Sequence, residues 1–241
     1  MREKSSDPNV KELQLLQLVK LYRLLFVEAA LVLSDASDIG EAATLLKSLS
    51  KQDLLEEHSG KSGLAKNVPY YTLSIKGASK VGVGRERASI TGAASISNHL
   101  AVLWCSAFGG EGVVRKRVSN HEIGEALGAT LHHNNVHFAE KHGERTVIYR
   151  AYCTRTSLSN IQSWCLDTLR GLPASYKGAV NQGDYAIAVL AESQASVEKI
   201  RQYLERAYKK NVRLNNRVRL IVELAPSTAS FPTEYERRFG G

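Results

Sequence analysis

DIGEAATLLKSLSKQDLLEEHSGKSGLAKNVPYYTLSIKGASKVGVGRER, residues 38–87, opens on a helical pattern and closes on a basic tail. Ala42, Leu45, Leu46 and Leu49 recur at i, i+3, i+4 and i+7 and form one apolar stripe. Glu41, Thr44, Lys47, Ser48 and Lys51 fall on the other side. Ser37 or Asp38 can cap this helix, because a short side-chain oxygen accepts one of its free N-terminal N–H groups. Leu54 and Leu55 then begin a short strand. The loop from Ser59 to Pro69 carries the turn residues Gly60, Gly63 and Pro69 together with Lys61 and Lys66. Tyr70–Ile75 alternates as a strand should, with Tyr71, Leu73 and Ile75 on one face.

Helix, strand, basic loop and strand are the recognition helix and wing of a winged helix-turn-helix. From Lys61 to Arg87 six basic residues stand against the single acid Glu86. A polar-faced helix beside a basic hairpin suits insertion into the major groove of duplex DNA with added phosphate contact. The expected DNA-binding residues are Thr44, Lys47, Ser48 and Lys51 for the groove and Lys61 and Lys66 for the backbone. Lys76, Lys80, Arg85 and Arg87 extend the basic tail. The plainer reading is a helix and hairpin that only pack, or that dimerise.

Upstream, residues 1–9 read as a flexible terminus. Val10 to about Leu25 reads as a long helix, and Phe26–Leu33 as a second one. Three helices and a hairpin complete the winged-helix order over residues 10–84. The first helix is apolar around more of its circumference than a three-helix domain needs, which points to burial against a second subunit or the C-terminal half. Ala78–Ser97 is rich in Gly, Ala and Ser, and a linker is placed at 85–98.

The second half, 99–225, alternates strands and helices. Leu100–Phe108 reads as a helix or buried strand, Val113–Val118 as a strand and Asn120–Leu127 as a helix. Asn135–Ala139 and Thr146–Cys153 read as a hairpin, Leu158–Leu169 as a helix, Tyr185–Ala191 as a buried strand, Ser196–Tyr208 as an amphipathic helix and Val218–Leu224 as a strand. This order predicts an α/β domain with a mixed sheet, and an α+β class for the whole chain. Residues 226–241, polar and holding Pro226, Pro232 and a terminal Gly pair, read as an extended tail.

The bulk properties agree with a polyanionic partner. Lys and Arg number 32 against 24 Asp and Glu, a net charge of +8, and the pI is near 9.4. Cys105, Cys153 and Cys165 are odd in number and lack CxxC spacing, which gives no disulfide framework and fits a reducing compartment. Charges at Lys20, Arg23 and Glu28 interrupt the apolar run Leu13–Leu33, so no membrane span or signal peptide is expected and a cytoplasmic location is.

Chemical motifs are weak. Gly60-Lys61-Ser62 ends like a phosphate loop, but Leu55 stands where the first glycine belongs. His121, His132, His133, His137 and His142 match neither HExxH nor a zinc finger, so no metal and no cofactor are expected. No nucleophile elbow is present. A metal-dependent nuclease needs carboxylates to hold a divalent ion against the scissile phosphate. In HHNNVHFAEKHGERTVIYRAYCTRTS, Asn134 and Asn135 occupy the first-strand position and Arg150 and Tyr152 the second. A catalytic set is therefore not expected. Two basic groups remain as a second DNA surface: Arg115, Lys116 and Arg117, and the run through Arg206, Lys209, Lys210, Arg213, Arg217 and Arg219.

The chain resembles the replication-relaxation family of plasmids and mobile elements, which includes MobC-type mobilisation proteins. LKSLSKQDLLEE followed by YYTLSIKG looks like that family's winged helix, and Asn98-His99-Leu100-Ala101-Val102 like the start of its second domain. NNVHFAEKHGERTVIYRAYCTRTS looks like its nuclease-like hairpin, and YAIAVLAESQASVEKIRQYL like its later strand and helix. The resemblance spans most of residues 10–224. It implies a restriction-endonuclease-like second domain, degenerate at Asn134, Asn135, Arg150 and Tyr152, and DNA binding more than cleavage. Double-stranded DNA, a homodimer partner and relaxosome or replication proteins are the expected partners, with regulation, replication or transfer control as the outcome. The alternatives are a relaxase or nickase using Glu140, Glu144, Asp167 or Asp184, and a dimerising interaction scaffold.

Overall fold

The computed structural model describes residues 7–65, 68–88, 90, 92–110, 113–127, 136–153, 158–172, 176–210 and 219–240. It is an α+β protein of two compact units, one formed by residues 1–107 with 227–241 and the other by residues 108–226. No helix among the described residues is long and apolar enough to cross a membrane.

In the first unit, α1 (Pro8–Tyr22) begins where Asp7 accepts from the Asn9 N–H at 2.8 Å. Pro8 sits in the first turn, where a missing N–H costs nothing. The helix ends at Arg23, whose φ of 75° directs the chain into a short extended stretch. There Leu25 exchanges two backbone hydrogen bonds with Tyr71, at 3.0 and 2.8 Å. After α2 (Val27–Leu33), Asp38 caps α3 (Ile39–Lys51) by accepting from the Glu41 N–H at 2.8 Å. The α3 stripe Ala42, Leu45, Leu46 and Leu49 is buried, as its spacing requires. β1 (Leu55–His58) and β2 (Tyr70–Leu73) pair antiparallel, Leu55 opposite Leu73 and His58 opposite Tyr70, with a 3-10 turn at Gly60–Ser62 in the loop.

The strand expected to reach Ile75 stops at Leu73. Ser74 is a helix cap: its Oγ accepts from the Gly77 N–H at 2.9 Å and donates to the Asp53 carbonyl at 2.5 Å. α4 (Ile75–Lys80) follows, and Ile75 is 54% exposed rather than on the buried face. Gly77 is needed here, because a Cβ would lie 1.9 Å from the Leu54 carbonyl oxygen. The expected 85–98 linker is also shorter, since α5 (Ala93–Phe108) starts inside it and buries Leu100 to Ser106.

The tail is not extended. Phe231, Tyr235 and Phe239 recur at i, i+4 and i+8 on α10 (Phe231–Phe239), with Pro232 in its first turn. This stripe returns to the first unit. Phe231 meets Phe26 edge-on with centroids 5.4 Å apart and Trp104 at 5.8 Å, and Tyr235 donates to Glu28 at 2.5 Å.

The second unit is a five-stranded mixed sheet in the order β3 (Val114–Val118), β4 (Val136–His142), β5 (Arg145–Cys153), β6 (Tyr185–Ala191) and β7 (Arg219–Leu224). The first three strands are antiparallel, and β5, β6 and β7 run parallel. Its helices are α6 (Asn120–Leu127), α7 (Leu158–Arg170), α8 (Tyr176–Gln182) and α9 (Gln194–Lys210). Ile187, Val189 and Ala191 pack under Ile161 and Cys165 of α7 and Val197, Ile200 and Leu204 of α9. β3 and β7 are the two edges, four strand spacings or about 19 Å apart in a flat sheet. Yet Arg115 of β3 makes a bidentate contact with Glu223 of β7, 2.7 Å on its Nη2 arm. The sheet therefore curls until one arginine links its edges.

Candidate nucleic-acid interface

With the apolar stripe of α3 turned inward, Thr44, Lys47 and Lys51 are exposed. The flanking polar residues are held within the unit. Ser48 donates to Glu12 of α1 at 2.7 Å and Gln52 donates to the same carboxylate at 3.2 Å. Ser48 thus faces α1, not a groove. The Thr44 hydroxyl donates back to the Gly40 carbonyl at 2.8 Å. Glu41 is tied to Lys11 at 2.7 Å, and this bond, with a second from the Ser37 N–H, pulls its carboxyl down to about 2. Neither Glu12 nor Lys11 could be foreseen as a partner, since each lies about 30 or more residues away in sequence.

The described basic residues of 61–87 do not form one surface. β1 leaves the C-terminus of α3 and β2 returns to it, so Lys61 stands at the loop end of the hairpin while α4 sits at its base. Lys66 lies outside the described residues. At the base, Lys76 donates to the Gln52 carbonyl at 2.8 Å, where a cation meets the negative end of α3. Lys80 and Arg85 flank Lys76 around a groove of about 1040 Å³ whose apolar walls are Leu54, Ile75 and Val83. Arg87 is exposed beside them. None of Lys47, Lys51, Lys61, Lys80 and Arg85 takes part in an ion pair among the described residues. β1 adds two exposed acids, Glu56 and Glu57, and Glu57 accepts from the Tyr71 hydroxyl at 3.2 Å. Burial first, then Glu57, pushes that hydroxyl up to about 12.

The expected second surface fails at Arg115. Its side chain is 3% exposed and bonds Glu140 at 2.8 Å besides Glu223. An arginine buried between two carboxylates cannot reach a phosphate. Lys116 pairs with Glu122 at 3.0 Å on the surface, and Arg117 is half-buried. Lys209 and Lys210 close α9; Arg213 and Arg217 lie outside the described residues.

The nuclease-type positions hold packing roles where they are described. Arg150 lies over the Trp164 ring at 5.2 Å, and Tyr152 stacks on it at 4.3 Å. Asn134 and Asn135, with His132 and His133, fall outside the described residues. The carboxylates that would rescue a nickase are not gathered. Glu140 bonds Arg115 and, at 2.5 Å, His142; Asp184 bonds Arg145 at 2.5 Å; Asp167 reaches Arg170 at 3.6 Å; Glu144 is exposed in the β4–β5 turn. Among the described residues no three His, Cys, Asp or Glu side chains could hold a metal ion. His137 is buried against the Tyr185 hydroxyl at 3.2 Å, and His121 faces Glu125 at 3.4 Å. None of the three cysteines is in a disulfide, and burial pushes the Cys165 thiol up to about 12, far from a nucleophile.

Compared with known proteins, the chain matches no family model, no curated protein and no solved structure.

Proposed function

We propose that this chain binds duplex DNA without cleaving it, through the exposed face of α3 and the loop of the β1–β2 hairpin. The observation that carries the reading is the set Lys47, Lys51 and Lys61: exposed, on one recognition-type helix and the loop that follows it, and in no ion pair among the described residues. The order of helix, extended bridge at Leu25, two helices and hairpin supports a winged helix. The net charge of +8 adds attraction for a polyanion at any sequence. Lys80 and Arg85 extend the phosphate-binding surface from the base of the hairpin. Thr44 and Ser48, both engaged within the unit, contribute less. Binding of this kind serves regulation, replication or transfer control of a mobile element, the setting that the resemblance of the sequence implies.

Each lysine that neutralises a phosphate releases counterions, so the logarithm of affinity falls with that of salt by about 0.9 per contact. Lys47→Glu with Lys51→Glu should weaken binding about 10-fold or more and flatten the salt slope by about two contacts. Fluorescence anisotropy on a labelled duplex reads both. Unchanged affinity and slope would remove α3 from the interface, and Mg²⁺-dependent nicking of supercoiled plasmid would replace the non-enzymatic reading.

A further inference from the structure

We propose that the outer edge of β7 is a homodimer interface, where β7 of a second copy adds antiparallel with Ile221 opposite Ile221. This stands apart from the DNA-binding reading. Among the described residues β7 is an edge strand, paired only with β6. The N–H of Ala225, just past its end, donates inward to the Ala191 carbonyl at 2.8 Å. Backbone groups alternate along a strand, so Leu220, Val222 and Leu224 direct theirs outward. Arg201 agrees with that phase, since it reaches the Val222 carbonyl from the α9 side at 3.3 Å. A groove of about 500 Å³ runs along this edge, lined by residues of both faces of β7 and by Arg201, Leu204 and Glu205 of α9. Arg201 takes one lone pair of the Val222 carbonyl and leaves the second. The rest of this outward row carries no hydrogen bond among the described residues, and such a row beside an open groove is a template for another strand.

The sequence of β7, Arg-Leu-Ile-Val-Glu-Leu, is complementary to itself in one register. A two-fold axis at Ile221 sets Leu220 opposite Val222 of the second copy. Both direct their backbone groups outward, so they form a hydrogen-bonded pair. The same axis sets Arg219 opposite Glu223 of the second copy, in the closer, non-hydrogen-bonded spacing where a cross-strand ion pair is most effective. Arg219 is exposed, with its guanidinium 5.7 Å from the Tyr149 ring, and takes part in no ion pair among the described residues. Glu223 is held in place by Arg115, with 22% of its side chain exposed. A shift of one residue opposes Arg219 to an apolar side chain and loses both ion pairs. Charge complementarity thus selects a second copy, in one orientation, over an arbitrary apolar strand.

Sedimentation velocity of the full chain over a concentration series tests this, with circular dichroism as a control for folding. Wild type should self-associate to a dimer. Arg219→Glu places like charges opposite each other twice and should weaken the dimer about tenfold or more, while Arg219→Lys should stay within about threefold of wild type. Leu220→Pro removes an outward N–H, a change that an edge strand tolerates, and should abolish the dimer with the monomer still folded. A wild type that stays monomeric at high micromolar concentration would overturn the proposal and leave the edge to a strand from another protein. Equal dimerisation by wild type, Arg219→Glu and Leu220→Pro would also overturn it, since the interface would lie elsewhere.

Discussion

At Gly77 two effects of one methyl group compete. Alanine in a helix is favoured over glycine by about 1 kcal/mol. Here the new Cβ would meet a backbone oxygen at 1.9 Å, and neither the end of α3 nor the start of β1 can move away from it cheaply. Overpacking of this kind costs about 1–3 kcal/mol, and a backbone neighbour puts it at the upper end. Gly77→Ala should therefore lower stability in denaturant by about 2 kcal/mol. A rise in stability would mean that α4 does not pack on Leu54. Nothing in the sequence around Gly77 shows this, because its reason lies 23 residues away at Leu54. Arg115 teaches the same lesson. In sequence Arg115-Lys116-Arg117 is a solvated basic cluster; in the fold its first member is buried, because Glu223, 108 residues later, comes back to it.

Elements with a single period were legible and elements at a change of period were not. The stripe of α3, the two strands of its hairpin and the all-apolar β6 follow from spacing alone. At Ser74 the chain passes from strand to helix in one residue, and Ile75 fits either pattern, so the alternation ran on too far. α10 was hidden by Pro232 and the flanking glycines, which read as extended chain although the first turn of a helix accepts proline. Its aromatic stripe is what the helix contributes to the first unit. Phe231 is fully buried against Phe26 and Trp104. Phe231→Ala should cost about 3–5 kcal/mol, the range for truncating a buried aromatic, and should shift the urea midpoint down accordingly. A change below about 1 kcal/mol, typical of a surface site, would show that α10 is dispensable to the unit.

For the whole molecule, the fold class and the mixed sheet followed from the order of the elements, while the division of its charge did not. A net +8 says that a polyanion is attracted, not where. The fold sorts the cations by their partners. Lys11, Arg115, Lys116 and Arg145 neutralise acids within the chain, and Lys76 caps a helix. Lys47, Lys51 and Lys61, in no ion pair among the described residues, come together on the face of α3 and the hairpin loop, and this grouping on a recognition-type helix is the basis for proposing DNA binding by the first unit rather than by the sheet. Hydrogen exchange read by mass spectrometry, with and without a saturating duplex at low salt, tests that assignment most directly. The account predicts slowed exchange over residues 39–51 and 59–65, with β4 and β5 unchanged. Protection confined to the sheet strands, or none anywhere while the DNA is bound, would contradict it.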